Sequence, residues 1–299
     1  MLPTLVFSHA NGFPAGTYQQ LFEVWRAAGF RVLAIDKYGH HPRYPVTSNW
    51  PRLRDQLIDF IAAESPQGAW LVGHSLGGLL SLLAASRRPD LVHGLVMLDS
   101  PVITGWRAHS VRALKASRLI AKVSPGRISQ TRRHEWPSRV AMAEHYGAKA
   151  LFARWAPGVL NDYLACGAEP QGDKTVLAFD RAIETRIYNT LPHHLGALLA
   201  RHPLKCPVGF VAGTRSAEIR QGGLGAAHAM AGERWAWIAG THLYPMEMPG
   251  ETAATVLRML ASMKPGRAPH VALAKAARCG YYGSQKAAAV ASWWPLEDH

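Results

Sequence analysis

Short apolar runs and longer amphipathic ones take turns through the first hundred residues. LVFS (5–8) precedes a helix-like stretch over 17–28, and RVLAID (31–36) precedes WPRLRDQLIDFIAAE (50–64). In the latter, Trp50, Leu53, Leu57 and Ile61 recur at helical spacing, and Pro51 stands where a first helical turn tolerates it. AWLVGH (69–74) is followed by the apolar helical run LLSLLAAS (79–86), and LVHGLVMLD (91–99) closes this half. Strand and helix in strict alternation predict parallel strands joined by crossover helices. The strands are apolar along their whole length, as expected of a sheet covered on both faces.

From Pro101 to His202 the alternation gives way to helical segments parted by Pro and Gly: SVRALKASRLIAKV, WPSRVAMAEHYGAKALFARW, VLNDYLACG and AIETRIYNTL. It returns with PVGFVAG (207–213), a helical stretch near 217–231, RWAWIAG (234–240) and ETAATVLRMLASM (251–263). The reading is an α/β core over 1–100 and 203–263, interrupted by a helical cap over 101–202. Beyond the breaker Lys264-Pro265-Gly266-Arg267, an Ala-rich basic run to 299 reads as a C-terminal extension without an assigned role.

Composition narrows the setting. A chain of 299 residues, 48% hydrophobic and 18% charged, can bury a sizeable core. It contains no apolar run of membrane-spanning length, and MLPTLVFSHANGF lacks the basic start and apolar stretch of a secretory signal, so a cytoplasmic protein is expected. Three cysteines, Cys166, Cys206 and Cys279, have no metal-ligand spacing and imply no disulfide framework. The formal charge of +13 is concentrated in the insertion, where residues 101–154 carry eleven Lys and Arg against Glu135 and Glu144. No nucleic-acid motif accompanies that charge, so a solvated basic surface is expected and no nucleic-acid partner.

Chemistry in an open parallel sheet collects at the carboxyl ends of the strands. There the sequence delivers Ser8-His9-Ala10-Asn11-Gly12-Phe13, Gly73-His74-Ser75-Leu76-Gly77, Gly213-Thr214-Arg215-Ser216-Ala217-Glu218 and Gly240-Thr241-His242. The second fits G-x-S-x-G, which holds a serine on a tight strand-to-helix turn with its hydroxyl exposed. One serine, one carboxylate and one histidine thus meet on a common edge in the order Ser75, Glu218, His242. The pairs His40-His41 and His193-His194 lack further ligands at metal spacing, so no metal and no cofactor are expected.

With GHSLGG, the late GTHLYPMEMP and the HANGFP loop, the chain resembles the α/β-hydrolase superfamily over about residues 4–263. The resemblance implies a Ser-acid-His enzyme with a helical cap inserted after Asp99. The chain starts directly at the strand carrying the HANGFP loop, which trims the expected sheet to about six strands. The family carboxylate usually follows the strand-ending glycine by three or four residues, where this chain has Ser216 and Ala217. Glu218, one residue further, is preferred as the acid; Asp99 is the alternative. The resemblance also implies an oxyanion hole from the backbone N–H of Leu76 and one from the HANGFP loop, assigned to Asn11 with Gly12 and Phe13 left open.

A serine at the nucleophile position points to a small-molecule ester or related acyl substrate, with lactone, thioester and C–C cleavage as variants of the same chemistry. A hydrolase fold that only binds a small ligand is the competing expectation.

Overall fold

The structure, a computed structural model, describes residues 2–263; the expected extension at 264–299 and Cys279 lie outside the described residues. Six parallel strands form the central sheet: β1 (Thr4–Ser8), β2 (Arg31–Ala34), β3 (Ala69–His74), β4 (Val92–Leu98), then β8 (Val208–Gly213) and β9 (Trp235–Ile238) after the insertion. Their spatial order is β2-β1-β3-β4-β8-β9. The order reverses direction at β1 and β3, and the crevice above that switch point is where an open sheet binds ligands.

Successive side chains serve opposite layers. Val6, Leu71, Leu95, Met97 and Phe210 face α2 (Pro51–Glu64) and α3 (Leu76–Arg87), whereas Leu5, Phe7, Val72, Val96 and Val211 face α1 (Gln19–Ala27) and the C-terminal helix α14 (Pro249–Ser262). Both layers are filled, which is why the strands read as unbroken apolar runs. Helix α3 is buried from Leu76 to Ser86 and correspondingly apolar all round.

Between β4 and β8 the chain forms seven helices, α4 (Gly105–Ala116), α5 (Ile120–Val123), α6 (Gly126–Thr131), α7 (Arg139–Gly147), α8 (Val159–Gly167), α9 (Arg181–Asn189) and α10 (Leu195–Arg201). The expectation of helices alone is incomplete, because β5 (Glu135–Trp136), β6 (Ala168–Gln171) and β7 (Lys174–Leu177) make a small antiparallel sheet in the order β5-β7-β6. Its hairpin closes on Gly172-Asp173, with Gly172 at φ +62° supplying the backbone conformation a two-residue loop needs. The helical stretch expected near 217–231 is likewise split, into α11 (Ala217–Gly222) and α12 (Gly225–Ala231), by Gly223 at φ +83°. After β9 come α13 (Tyr244–Glu247) and α14.

One polar cluster knits the insertion together, and two further contacts hold it to the core. Arg132 and Glu184 form a buried ion pair at 3.1 Å, and the same guanidinium donates to Tyr163 at 2.9 Å and Tyr146 at 3.3 Å. Lys115 donates to Asn49 Oδ1 and to the carbonyls of Thr190 and Leu191, and burial lowers its pKa to about 8. Asn11 donates through Nδ2 to the Glu184 carbonyl, tying the loop after β1 to α9. Part of the positive charge of this segment therefore works inside the molecule.

Candidate active site

Ser75 stands between β3 and α3 at φ +53°, a conformation that a side chain rarely adopts. The neighbouring glycines make this turn possible. A Cβ on Gly77 would overlap the Ser8 carbonyl, and one on Gly73 would overlap the Gly77 backbone, so strand and helix approach as closely as backbone allows. The Ser75 amide is held by the Leu98 carbonyl at 2.9 Å. Its hydroxyl points into the cleft above the sheet, 2.9 Å from His242 Nε2.

His242 lies in the loop after β9. Its Nδ1 is 2.7 Å from Asp99 Oδ2 and 3.9 Å from Glu218 Oε2. The preference for Glu218 is therefore corrected: the carboxylate hydrogen-bonded to the imidazole is that of Asp99. The physical reason is position. Asp99 leaves the end of β4 at φ +44°, with its amide on the Val211 carbonyl, which turns its carboxylate toward the loop after β9. Glu218 starts one residue further into α11 and reaches the imidazole only at ion-pair distance. Asp99 is fully buried, and its oxygens are engaged: Oδ1 accepts from the Gly213 amide at 2.7 Å, and Oδ2 accepts from Ser216 Oγ at 2.5 Å as well as from the imidazole. Ser216, at the position where the resemblance would place a carboxylate, instead supports Asp99 and caps α11 through the Ile219 amide. Its place as an N-cap serine was the available sequence signal.

Burial works against a charged imidazole at His242, but Glu218 and then Asp99 outweigh it and raise the pKa to about 9. For Asp99 burial pushes the carboxyl upward while His242, Ser216 and the Gly213 amide pull it down. The ionised carboxylate is the state that satisfies all three donors.

Two further histidines have supporting places. His74 Nδ1 accepts from the Tyr18 hydroxyl at 2.7 Å, and its Nε2 faces the His242 carbonyl at 2.9 Å; the same Tyr18 oxygen accepts from the Ala10 amide. One chain of hydrogen bonds thus joins the HANGFP loop to the backbone of His242. His9 donates from Nδ1 to the Ala10 carbonyl and accepts at Nε2 from the Tyr38 amide; burial lowers its pKa to about 4. Glu247, which no spacing in the sequence singles out, accepts from the amide and hydroxyl of Thr241 and so fixes the residue preceding His242. His40 accepts from the Asp180 amide, and His193 Nδ1 lies 3.1 Å from Lys115 Nζ.

Leu76 opens α3 beside Ser75, and Asn11 lines the cleft with Ser75 and His242. Of the other loop residues considered, Phe13 uses its amide to close a turn on the Ala10 carbonyl. Asp99, Glu218 and His242 place one donor atom each within 4.8 Å of one another, and the hydrogen bonds around Asp99 account for that spacing.

The cleft offers about 90 Å³ of room, with Pro101, Pro125, Ile128, Leu151 and Tyr188 forming walls contributed by the insertion. An adjoining, mostly apolar chamber of about 40 Å³ also meets Ser75, lined by Trp50, Leu79, Ile103, Ile187, Leu191 and Leu195. No helix of the described residues is long and apolar enough to cross a membrane.

Comparison with known proteins agrees with this architecture. The sequence profile of the alpha/beta hydrolase family matches residues 5–255. Monoglyceride lipase of Mus musculus is 31% identical over 129 residues, 40% of this chain and 43% of that protein. An esterase of Mycobacterium tuberculosis is 34% identical over 100 residues, 32% of this chain and 33% of its own length. Its solved structure matches with a TM-score of 0.62 at 22% identity, covering 87% of this chain and 86% of that one. The structure of E-2-(acetamidomethylene)succinate hydrolase matches with a TM-score of 0.68 at 20% identity, covering 87% and 91%. The aligned stretches span less than half the length of these two curated relatives, and the structural matches are likenesses of fold.

Proposed function

The chain belongs to the alpha/beta hydrolase family, and from that premise we propose that it is a serine hydrolase cleaving a carboxylic ester through an acyl-enzyme. The observation that carries this reading is the continuous contact from Asp99 through His242 to Ser75, at 2.7 and 2.9 Å. Geometry of this kind is what acyl transfer needs. The Ser75 hydroxyl is a weak nucleophile until a base removes its proton, and His242 Nε2 is at hydrogen-bond distance to do so. Asp99 accepts from Nδ1–H, which fixes the tautomer with Nε2 free to act as base and stabilises the imidazolium that forms. As the tetrahedral intermediate collapses, the imidazolium returns its proton to the departing alkoxide. Water then repeats the sequence in reverse roles and releases the acid. The amides of Leu76 and Asn11 are the proposed donors to the oxyanion, Leu76 with the added field of its helix N-terminus.

The chamber beside Ser75 supports an acyl group of hydrocarbon character, since most of its lining is aliphatic, with Asn11, Ser75 and Tyr188 as the polar exceptions. Esterase and lipase relatives fit the same reading. Replacing Ser75 by Ala should reduce hydrolysis of a 4-nitrophenyl ester on the order of 10⁶-fold while leaving the thermal unfolding midpoint close to that of the parent. A fluorophosphonate probe should label the parent and not the variant. Full activity in S75A would exclude the proposed nucleophile, and a folded parent that neither turns over esters nor takes the probe would favour a ligand-binding protein on a hydrolase fold.

A further inference from the structure

Two carboxylates face the imidazole of His242, and the mechanism above employs only one. Asp99 makes the hydrogen bond; Glu218 brings Oε2 to 3.9 Å of the same Nδ1. We propose that Glu218 is a second acid of this site, a positioning residue that shares with Asp99 the stabilisation of the His242 imidazolium and substitutes in part for Asp99 when that carboxylate is removed. This rests on the reading of His242 as the general base.

The two carboxylates are linked through one hydroxyl. Ser216 Oγ lies 2.5 Å from Asp99 Oδ2 and 3.3 Å from Glu218 Oε2, and it accepts from the Ile219 amide. A hydroxyl carries one proton, so at the short contact it serves Asp99, and rotation about the Cβ–Oγ bond would serve Glu218 instead. The surroundings of the two acids differ in a way that divides the work. Asp99 is fully buried, where a carboxylate is strongly oriented but costly to keep charged. Glu218 is partly open to the cleft, with 24% of its side chain exposed, and keeps water around its charge. Asp99 therefore supplies direction and Glu218 supplies field.

The remaining neighbours of His242 do not provide an equivalent. His74, with its ring centroid 5.0 Å away, is held neutral by burial. Arg215, on the cleft wall, has the opposite sign and leans toward Glu247 at 3.8 Å. Ser75, Thr241 and the phenols of Tyr188 and Tyr244 are uncharged at neutral pH. Glu218 is also the leading contributor in raising the imidazole pKa toward about 9.

The bland alternative is a carboxylate in the first turn of α11 that merely stabilises its own helix. The two roles separate in the pH profile of kcat/KM. An anion beside the base favours the protonated imidazole; in the free enzyme that withholds the base, and in the transition state it lowers the barrier. Glu218→Gln, which keeps the shape and hydrogen-bonding reach, should move the acid limb of kcat/KM down by roughly one pH unit and lower the alkaline plateau by up to about tenfold. The two profiles then cross, with the variant equal to or faster than the parent near pH 7. A helix-capping role alone would leave the limb where it is.

The experiment is kcat/KM for a 4-nitrophenyl ester from pH 6 to 10.5 in the parent, Glu218→Gln, Asp99→Asn and the double variant. Asp99→Asn should retain at least about tenfold more activity than the double variant, because Glu218 still faces the imidazole in the single one. Superimposable limbs for the parent and E218Q would overturn the proposal, and so would equal activity of D99N and D99N/E218Q. If the Asp99 variants do not fold, the E218Q limb decides alone. Activity surviving in S75A would remove the underlying reading, whereas an inactive S75A with an unmoved E218Q limb removes only this inference.

Discussion

Gly77 sets how near Ser75 can come to the loop after β1. Its Cα hydrogen faces the Ser8 carbonyl where a methyl group would overlap backbone atoms. Neither partner can yield, since Ser8 is in β1 and Gly77 in the first turn of α3. Gly77→Ala should therefore cost roughly 3 kcal/mol, read as a shift in urea denaturation, and should lower ester turnover beyond what lost folding explains. A loss below about 0.5 kcal/mol would mean that the contact is looser than described. The same scale shows what the sequence could and could not reveal. Ser75 and His242 were legible because strand-end order and the G-x-S-x-G spacing place them independently of side-chain detail. The choice between Asp99 and Glu218 was not, because both follow neighbouring strands and differ by little more than 1 Å in their distance to Nδ1. That difference comes from the positive φ at Asp99 and from Ser216, neither of which spacing encodes.

At the scale of elements, α6 and α9 pack against each other with Arg132, just after α6, bonded to Glu184 on α9. Their side chains are 10% and 8% exposed, so removal of either partner leaves a buried charge. Arg132→Leu should destabilise the protein by roughly 3 kcal/mol, measured by denaturant unfolding. Because Glu184 lies against Gly12, the loss should also reach the loop after β1. Changing both residues together, to Leu and Gln, should recover much of the stability; a double variant as unstable as the single would show that the pair contributes through packing instead. Elements also differ in how well their type could be foreseen. The core strands declare themselves as apolar runs, but β6 is Ala-Glu-Pro-Gln and lies mostly exposed, so only the Gly172-Asp173 turn marks the hairpin. The helix expected over 217–231 is broken by a glycine whose positive φ the sequence does not announce.

Across the whole molecule, buried His9 and half-buried His242 pull stability in opposite directions with pH. His9 has a folded pKa of about 4, below its ordinary 6.5, so the unfolded chain takes up a proton first on acidification. Its contribution is complete above pH 6.5 and is lost as pH falls toward 4, roughly 3 kcal/mol in all. His74 shifts in the same direction. His242 is raised to about 9, so its contribution is complete below 6.5 and fades as pH rises through 9. Thermal unfolding midpoints should therefore peak near pH 6.5 and fall on both sides, while ester turnover should keep rising toward pH 9. Coincident optima for stability and turnover would contradict the assignment of these protonation states.

The chain leaves the sheet at Asp99 and re-enters at β8, the strand directly beside β4 and parallel to it, with Leu98 opposite Val211. A parallel neighbour cannot be entered by a tight turn; the chain must travel back the full strand length. The last stage of that return is α10, whose Leu195 and Leu199 belong to the same apolar cluster as Phe210 and Leu95. The segment that walls the cleft at Ser75 and the obligatory crossover of the fold are thus one stretch of covalent chain. Engineers who replace this insertion should keep α10 as its landing stage, since α10 delivers the chain to β8 beside β4.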